Sequence, residues 1–166
     1  ADIATFSFHP VKIITTGEGG IMVTNNRTFY EQAVLFRTHG ITKDPNKFIF
    51  KEHQQEPWYY EMQDLGFNYR LTDIQCALGI SQLERIDSFL KKRRKIGLLY
   101  TKLLGDDRRF EIYREQAGCR SSWHFYPLRI NIISTEKKLQ LFKRLNTVGI
   151  FPQVHYISIH LHPYYR

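Results

Sequence analysis

Between Ile3 and Val23 the chain places two apolar runs on either side of a glycine-rich turn. The run from Ile3 to Phe8 alternates weakly and Pro10 stops it; Gly17-Glu18-Gly19-Gly20 then leads into Ile21 to Val23. Glycine allows positive φ, so the turn predicts a reversal. Strands are expected over 3–8, 12–16 and 20–24, the last two forming a hairpin across the glycines. Lys12 then falls between two strand-like segments, with Pro10 setting the backbone just before it. A lysine beside apolar strands loses hydration, which favours the neutral amine, a nucleophile toward aldehydes. The same pattern also suits an ordinary hairpin whose lysine snorkels to water.

Composition narrows the field. With 42% hydrophobic and 14% aromatic residues among 166, a packed core is possible and disorder is not the default. The 24 Lys+Arg against 16 Asp+Glu leave a net charge of +8. Yet the one dense basic run, Lys91 to Lys95, lies in a helical pattern where it marks a solvated face, and the remaining excess is spread out. That argues against a nucleic-acid partner and leaves room for an anionic small molecule. Cys76 and Cys119 carry no partner motif, so neither a disulfide framework nor a zinc site is expected. With no signal peptide and no run near the ~20 apolar residues of a membrane span, a cytoplasmic protein without membrane attachment is expected. The chain opens on Ala1 inside a strand pattern and stops at His-Pro-Tyr-Tyr-Arg, as though both ends were cut from something longer.

Further along, Asn25 or Asn26 can cap a helix over 27–38, with Phe29, Ala33, Val34 and Phe36 as buried positions and His39-Gly40 as its stop. Residues 41–60 show no period and read as a long loop, in which Trp58-Tyr59-Tyr60 either lines a pocket or anchors the loop to the core. Thr72-Asp73 opens a helix with Ile74, Ala77, Leu78, Ile80 and Leu83 at helical spacing. A second helix over 86–104 places Phe89, Leu90, Ile96, Leu99, Tyr100 and Leu103 on one face. Beyond Gly105 the pattern becomes strand 124–132, helix 135–148 and strand 150–156. Two domains follow, 1–105 and 106–166.

Three groups could carry chemistry. Ser7, His9 and Lys12 adjoin the Thr15-Thr16-Gly17 turn, where a hydroxyl near backbone N–H groups suits a phosphate. Asn68-Tyr69-Arg70 lies just ahead of a helix N-terminus, which favours an anion, or else forms a capping turn with a structural arginine. His155-Tyr156, His160 and His162 suit hydrogen bonding to a sugar or diphosphate, whereas their spacing matches no metal motif.

Taken in order, these blocks resemble the DegT/DnrJ/EryC1/StrS family of sugar aminotransferases, which use pyridoxal 5'-phosphate. The matching text is ADIATFSFHPVKIITTGEGGIMVT (1–24), Arg37-Thr38-His39-Gly40, LGFNYRLTDIQCALGISQL (65–83), Arg85, Ile86 and Arg93-Arg94, and HYISIHLHPYY (155–165). The resemblance implies an α/β protein of the aspartate aminotransferase type (fold type I), comprising the C-terminal part of the large, cofactor-binding domain (1–105) and most of a small α+β domain (106–166). It implies that Lys12 attaches the cofactor covalently, that Ser7 contacts its phosphate, and that Asn68 reaches that phosphate from the neighbouring subunit of a homodimer. His39, Arg70, Gln153, His155 and Tyr156 would contact the nucleotide-sugar. Glu56 to Gln63 (EPWYYEMQ) resembles the branch that aminates a UDP-linked 4-keto-6-deoxy N-acetyl-hexosamine with L-glutamate as donor, in synthesis of cell-surface or flagellar glycan precursors. A related branch dehydrates sugars with a histidine in place of this lysine, so Lys12 implies transamination. The family's glycine/threonine phosphate loop, ring-stacking aromatic and pyridinium-pairing aspartate precede the lysine block and are absent here. The alternative is therefore a catalytically inactive piece acting at most as an association module.

Overall fold

The computed structural model describes residues 1–132 and 134–166. In chain order the elements are β1 (Ala4–Ser7), β2 (Gly20–Val23), α1 (Arg27–Arg37), β3 (Ile41–Thr42), β4 (Glu61–Met62), α2 (Asp73–Leu83), α3 (Ile86–Leu104), β5 (Phe110–Ile112), β6 (Leu128–Ile130) and α4 (Thr135–Thr147). The strands pair as three two-stranded antiparallel sheets, β1–β2, β3–β4 and β5–β6. Two compact units result, one of residues 1–97 with 120–125, the other of 98–119 with 126–166.

In the first unit, β1 is the partner of β2, with Ala4 opposite Val23 and Ser7 opposite Gly20. This corrects the expected hairpin: residues 12–16 form no strand. They lie in the connection because Phe8 closes it. The Phe8 N–H donates to the Gly19 carbonyl (2.8 Å), and the Phe8 carbonyl accepts from Thr16 N–H (3.1 Å) and the Thr15 hydroxyl (2.9 Å). At Gly20 a Cβ would come within 2.8 Å of the Phe6 carbonyl, so the strands could not close on a larger residue.

Helix α1 starts where Asn26 Oδ1 accepts from the N–H groups of Thr28 (2.9 Å) and Phe29 (3.2 Å). It stops at His39 and Gly40, both left-handed at φ 61° and 69°. Its expected core face is only half-buried at Phe29, Ala33 and Val34, and Phe36 is exposed. The segment leaving α1 instead crosses the segment entering α2, backbone against backbone. Phe67 N–H donates to Phe36 O (2.7 Å), His39 N–H to Phe67 O (2.9 Å) and Gln63 N–H to Gly40 O (2.7 Å). A Cβ on Gly40 would overlap the Asp64 carbonyl, and one on Gly66 would overlap the Gly40 nitrogen.

The 41–60 stretch is more ordered than its pattern suggests. It carries β3, single 3-10 turns at Pro45–Lys47 and Lys51–His53, and Phe48, which is only 2% exposed. Helix α2 bears the capping box in full: Thr72 Oγ1 accepts from Gln75 N–H, and Gln75 Oε1 accepts from Thr72 N–H. Its apolar residues at helical spacing are open to solvent: Ile74 is 83% exposed and Leu78, Ile80 and Leu83 are exposed too. On α3, Gly97 packs under the Trp123 indole, 2.9 Å from where a Cβ would sit. Arg93 donates to the carbonyls of Trp123 (3.3 Å) and His124 (3.0 Å). Of the residues on its apolar face, Ile96, Leu99, Tyr100 and Leu103 are exposed.

The second unit orders itself as β-β-α rather than β-α-β. The expected strand 124–132 contracts to β6, whose partner is β5, and Glu111 faces Arg129 across the pair at 3.1 Å. Ser134 caps α4 by accepting from Lys137 N–H. Beyond α4, residues 150–156 form no strand; the Ile150 N–H is spent on Leu145 O (2.9 Å), after Gly149 at φ 78° closes the helix. The Asp107 carboxylate accepts a forked pair of bonds from the Arg109 guanidinium (2.6–3.0 Å), which lowers its pKa from 3.8 to about 2.

Two outcomes follow from these contacts. Gly40→Ala is expected to destabilise the protein by at least about 2 kcal/mol in denaturant unfolding, because the new Cβ meets backbone at a left-handed residue. The depressed Asp107 pKa means that its pairing stabilises the fold above pH 3.8 and is lost as pH falls toward about 2. An NMR titration of the Asp107 carboxyl should place its midpoint there, and Arg109→Ala should return it toward 3.8.

Candidate active site

Lys12 sits in the 8–19 connection, half-buried, rather than between two strands. Its backbone is set by a turn in which Lys12 N–H donates to His9 O (2.9 Å). Among the described residues its ammonium makes no hydrogen bond or ion pair. Ser7, at the end of β1, is exposed and accepts from His9 N–H at 3.3 Å. Ser7, His9 and Lys12 therefore share one short segment. His9 accepts from Val11 N–H at Nδ1 (3.2 Å) and faces Glu18 across the connection at 3.8 Å.

The far side of that connection is clamped. Thr16 is buried and donates its hydroxyl to Glu18 O (2.7 Å), while Thr15 Oγ1 accepts from Gly17 N–H (2.9 Å). The first turn of α2 closes over it: Gln75 Nε2 donates to the same Glu18 carbonyl at 3.0 Å. A Cβ on Gly19 would come within 2.7 Å of the Leu71 side chain, and one on Gly79 within 3.0 Å of the Thr16 methyl. The approach of α2 is thus set by glycines, and Lys12 hangs from a backbone held at both ends.

Asn68 and His39 are brought together by the backbone crossing. Thr38 and Asn68 form an antiparallel bridge, Tyr69 N–H donates to Arg37 O (3.1 Å), and Phe67 and Tyr69 stack their exposed rings at 4.9 Å. Arg70 is exposed, two residues ahead of the Thr72 cap. Gln153, His155 and Tyr156 belong to the other compact unit, on an irregular, exposed segment where the rings of His155 and Tyr156 meet edge-on at 4.1 Å.

One notable residue escapes sequence reasoning. Glu61 is 6% exposed, and its carboxylate accepts from Ile49 N–H (2.7 Å), Phe50 N–H (2.8 Å), Gln63 Nε2 (3.1 Å) and the Tyr59 hydroxyl (3.3 Å). Burial pushes its pKa up, but the four donors outweigh that and hold it below the ordinary carboxylate value. Of the aromatic triplet, Tyr59 anchors the loop, edge-on to Phe48 at 5.0 Å and stacked on His53 at 4.2 Å. Trp58, 74% exposed, lines a hollow of about 370 Å³ with Lys43, Phe48 and Gln54. No helix among the described residues is long and apolar enough to cross a membrane.

The chain resembles known proteins along its whole length. The model of the DegT/DnrJ/EryC1/StrS aminotransferase family matches residues 1–166. The UDP-4-amino-4,6-dideoxy-N-acetyl-beta-L-altrosamine transaminase of Campylobacter jejuni is 39% identical over 100% of this chain and 41% of its own length. Among solved structures, PseC of Helicobacter pylori, an aminotransferase of pseudaminic acid biosynthesis, aligns with TM-score 0.85 at 35% identity, over 99% of this chain and 42% of that one. A sugar aminotransferase from Streptococcus pneumoniae in its PLP form aligns at 0.84 with 28% identity, over 99% and 40%. The chain thus spans about two fifths of the length of the relatives it matches.

Gln75 joins the α2 cap to the lysine-bearing connection. Gln75→Ala is expected to cost about 1–2 kcal/mol in denaturant unfolding, because it removes the side-chain half of the cap and the bond to Glu18 O. Gln75→Glu keeps an acceptor for Thr72 N–H but no donor for Glu18 O. Amide exchange at Thr16 should therefore quicken in both variants, while the α2 amides quicken only in Gln75→Ala.

Proposed function

This chain belongs to the DegT/DnrJ/EryC1/StrS aminotransferase family, and from that premise we propose that it carries the lysine half of a pyridoxal-phosphate site for amination of a nucleotide-linked keto sugar. The observation that carries the reading is Lys12: a half-buried primary amine, unengaged among the described residues, on a backbone clamped on both sides. The donor set fits the cofactor, since an amine matches its aldehyde and the Ser7 hydroxyl at the end of β1 suits its phosphate. Lys12 would hold the group covalently, Ser7 would accept and donate at the phosphate, and Asn68 would reach the phosphate bound to a second subunit of a homodimer. When bound, pyridoxal phosphate supplies an electron sink that eases proton removal from the carbon bearing the amine.

Lys12 then has two tasks. Its Nζ would hold the aldehyde carbon, with loss of water, and once freed by the amino donor the same Nζ would take a proton from the donor's α-carbon. In amination of the sugar, the same Nζ would return a proton to the carbon that receives the amine. A histidine in this place could move protons but could not hold the aldehyde. His39 and Arg70 on one compact unit, and Gln153, His155 and Tyr156 on the other, are the residues we assign to the sugar nucleotide. Their imidazole, phenol, amide and guanidinium groups suit hydroxyls and a diphosphate.

By likeness to the Campylobacter and Helicobacter enzymes, the substrate is a UDP-linked 4-keto-6-deoxy N-acetyl-hexosamine. The donor is L-glutamate, the setting is cytoplasmic synthesis of a surface-glycan precursor, and residues 1–105 and 106–166 act as the cofactor-binding and small domains. The exposed apolar faces of α2 and α3 favour a second reading, in which these 166 residues by themselves bind no cofactor productively and act through association.

One experiment separates the two. Incubation with pyridoxal phosphate, borohydride reduction and peptide mapping should place the label on Lys12; label scattered over surface lysines would support the inert reading. In the full-length protein, Lys12→Ala should abolish the trapped cofactor and lower transaminase turnover by at least about a thousandfold. Retention of both would overturn the assignment.

A further inference from the structure

A carboxylate buried without donors is costly, and Glu61 lies in a segment otherwise near the surface. Its four donors come from both limbs of that segment. Ile49 and Phe50 lie on the outgoing limb, Tyr59 and Gln63 on the returning one. One side chain thereby ties the 43–60 loop to β4. The backbone of Glu61 pairs with Thr42 on β3, and Gln63 N–H reaches Gly40 O, so the loop is fastened to the strands that lead into His39 and Asn68. Phe48 and Tyr59 fill the space beneath, edge to face. Trp58, adjacent to Tyr59, is left on the rim of the hollow with Lys43. The exposed Trp58 indole and Lys43 line the hollow together with Gln54 and Glu56, a ring and polar groups of the kind that can bind a ligand.

We infer that Glu61 is a positioning residue for substrate: it holds the 43–60 loop, with Lys43 and Trp58 on its rim, in the shape that receives the substrate of the proposed reaction. The inference rests on that reading for its substrate half and on hydrogen-bond geometry for its positioning half. Glu61 touches no reacting atom; it acts through the backbone at residues 49–50 and through Tyr59.

The test uses the full-length protein with Glu61→Gln and Glu61→Asp, read by amide exchange and steady-state kinetics. Glu61→Gln keeps the size but turns an amino group toward donors that need an acceptor. Amides from Ile49 to Tyr60 should then exchange at least about tenfold faster while α1 and α3 hold. KM for the sugar substrate should rise about tenfold with kcat within about twofold. Glu61→Asp, which keeps the charge, should recover part of both effects. Unchanged exchange at residues 49–60 would overturn the inference. Faster exchange spreading through α1 and α3 would do so as well, by making Glu61 a general stabiliser. So would intact turnover with unchanged KM, leaving the proposed reaction standing. Absence of turnover in the unsubstituted protein would instead sink the proposed reaction, and with it the substrate half of this inference.

Discussion

Gly40 and Gly66 meet with no space for a side chain on either, and the first compact unit is arranged around that contact. Because the two backbones touch, the end of α1 and the approach to α2 can exchange hydrogen bonds directly, at Phe36–Phe67, His39–Phe67 and Gly40–Gln63. Each such bond contributes only about 1 kcal/mol, so the steric requirement decides the geometry and the bonds then hold it. The crossing delivers Asn68 beside Thr38 and starts α2 at the Thr72 cap. The start of α2 in turn lays Leu71, Gln75 and Gly79 over the connection that carries Lys12. A left-handed glycine near residue 40 thus bears on a lysine at residue 12 through a chain of close approaches.

A second constraint is how little of the chain is interior. Phe48 and Trp123 are the buried hydrophobic residues among those described, whereas Ile74, Ile80, Leu83, Ile96 and Leu103 are exposed along α2 and α3. A helix with an apolar stripe, such as α3, ordinarily buries it. The local order here comes from other sources: caps, glycine contacts, a buried carboxylate and an indole seated on Gly97. The relatives are more than twice as long as the matched chain, and open apolar faces of this kind agree with a surface made to meet further protein.

What the sequence made legible divides by range. Helices were readable because their start signals lie within four residues: Asn26 before Thr28, Thr72 before Gln75, Ser134 before Lys137. The limits of α3 and α4 came out within a residue of their observed places. Strand pairing was not readable, because β2 chooses between residues 4–7 and 12–16 by where the Phe8 carbonyl and N–H are spent, a contact with no residue-type signature. The same holds for β5, three residues long, and for the tail after Gly149, whose first N–H returns to α4. Burial was not readable along α1, where Phe36 is exposed, because spacing reports a stripe and not what covers it. Glu61 escaped because two of its donors are backbone N–H groups at Ile49 and Phe50, and any residue type could supply them. Lys12, by contrast, was singled out through its place in an ordered set of blocks, since its local chemistry alone favoured a snorkelling lysine.

The correction at residues 12–16 bears on how a lysine could work there. A strand would have committed the backbone of Lys12 to a ladder and its side chain to one face of a sheet. In the connection, the backbone is still fixed, by His9 O on one side and by the Phe8–Thr15–Thr16 cluster on the other. The four-carbon stem is left to move. Chemistry at a lysine that must both hold a carbonyl carbon and, after release, carry a proton on the same Nζ requires those two properties together: a root that does not shift and a tip that does. Thr16, buried beneath Gly79 and donating to Glu18 O, supplies the first, and the absence of a partner for Nζ among the described residues permits the second. In the proposed site, the glycine-rich turn would serve less as the corner of a hairpin than as the closure of a loop from which one amine could leave its station and return.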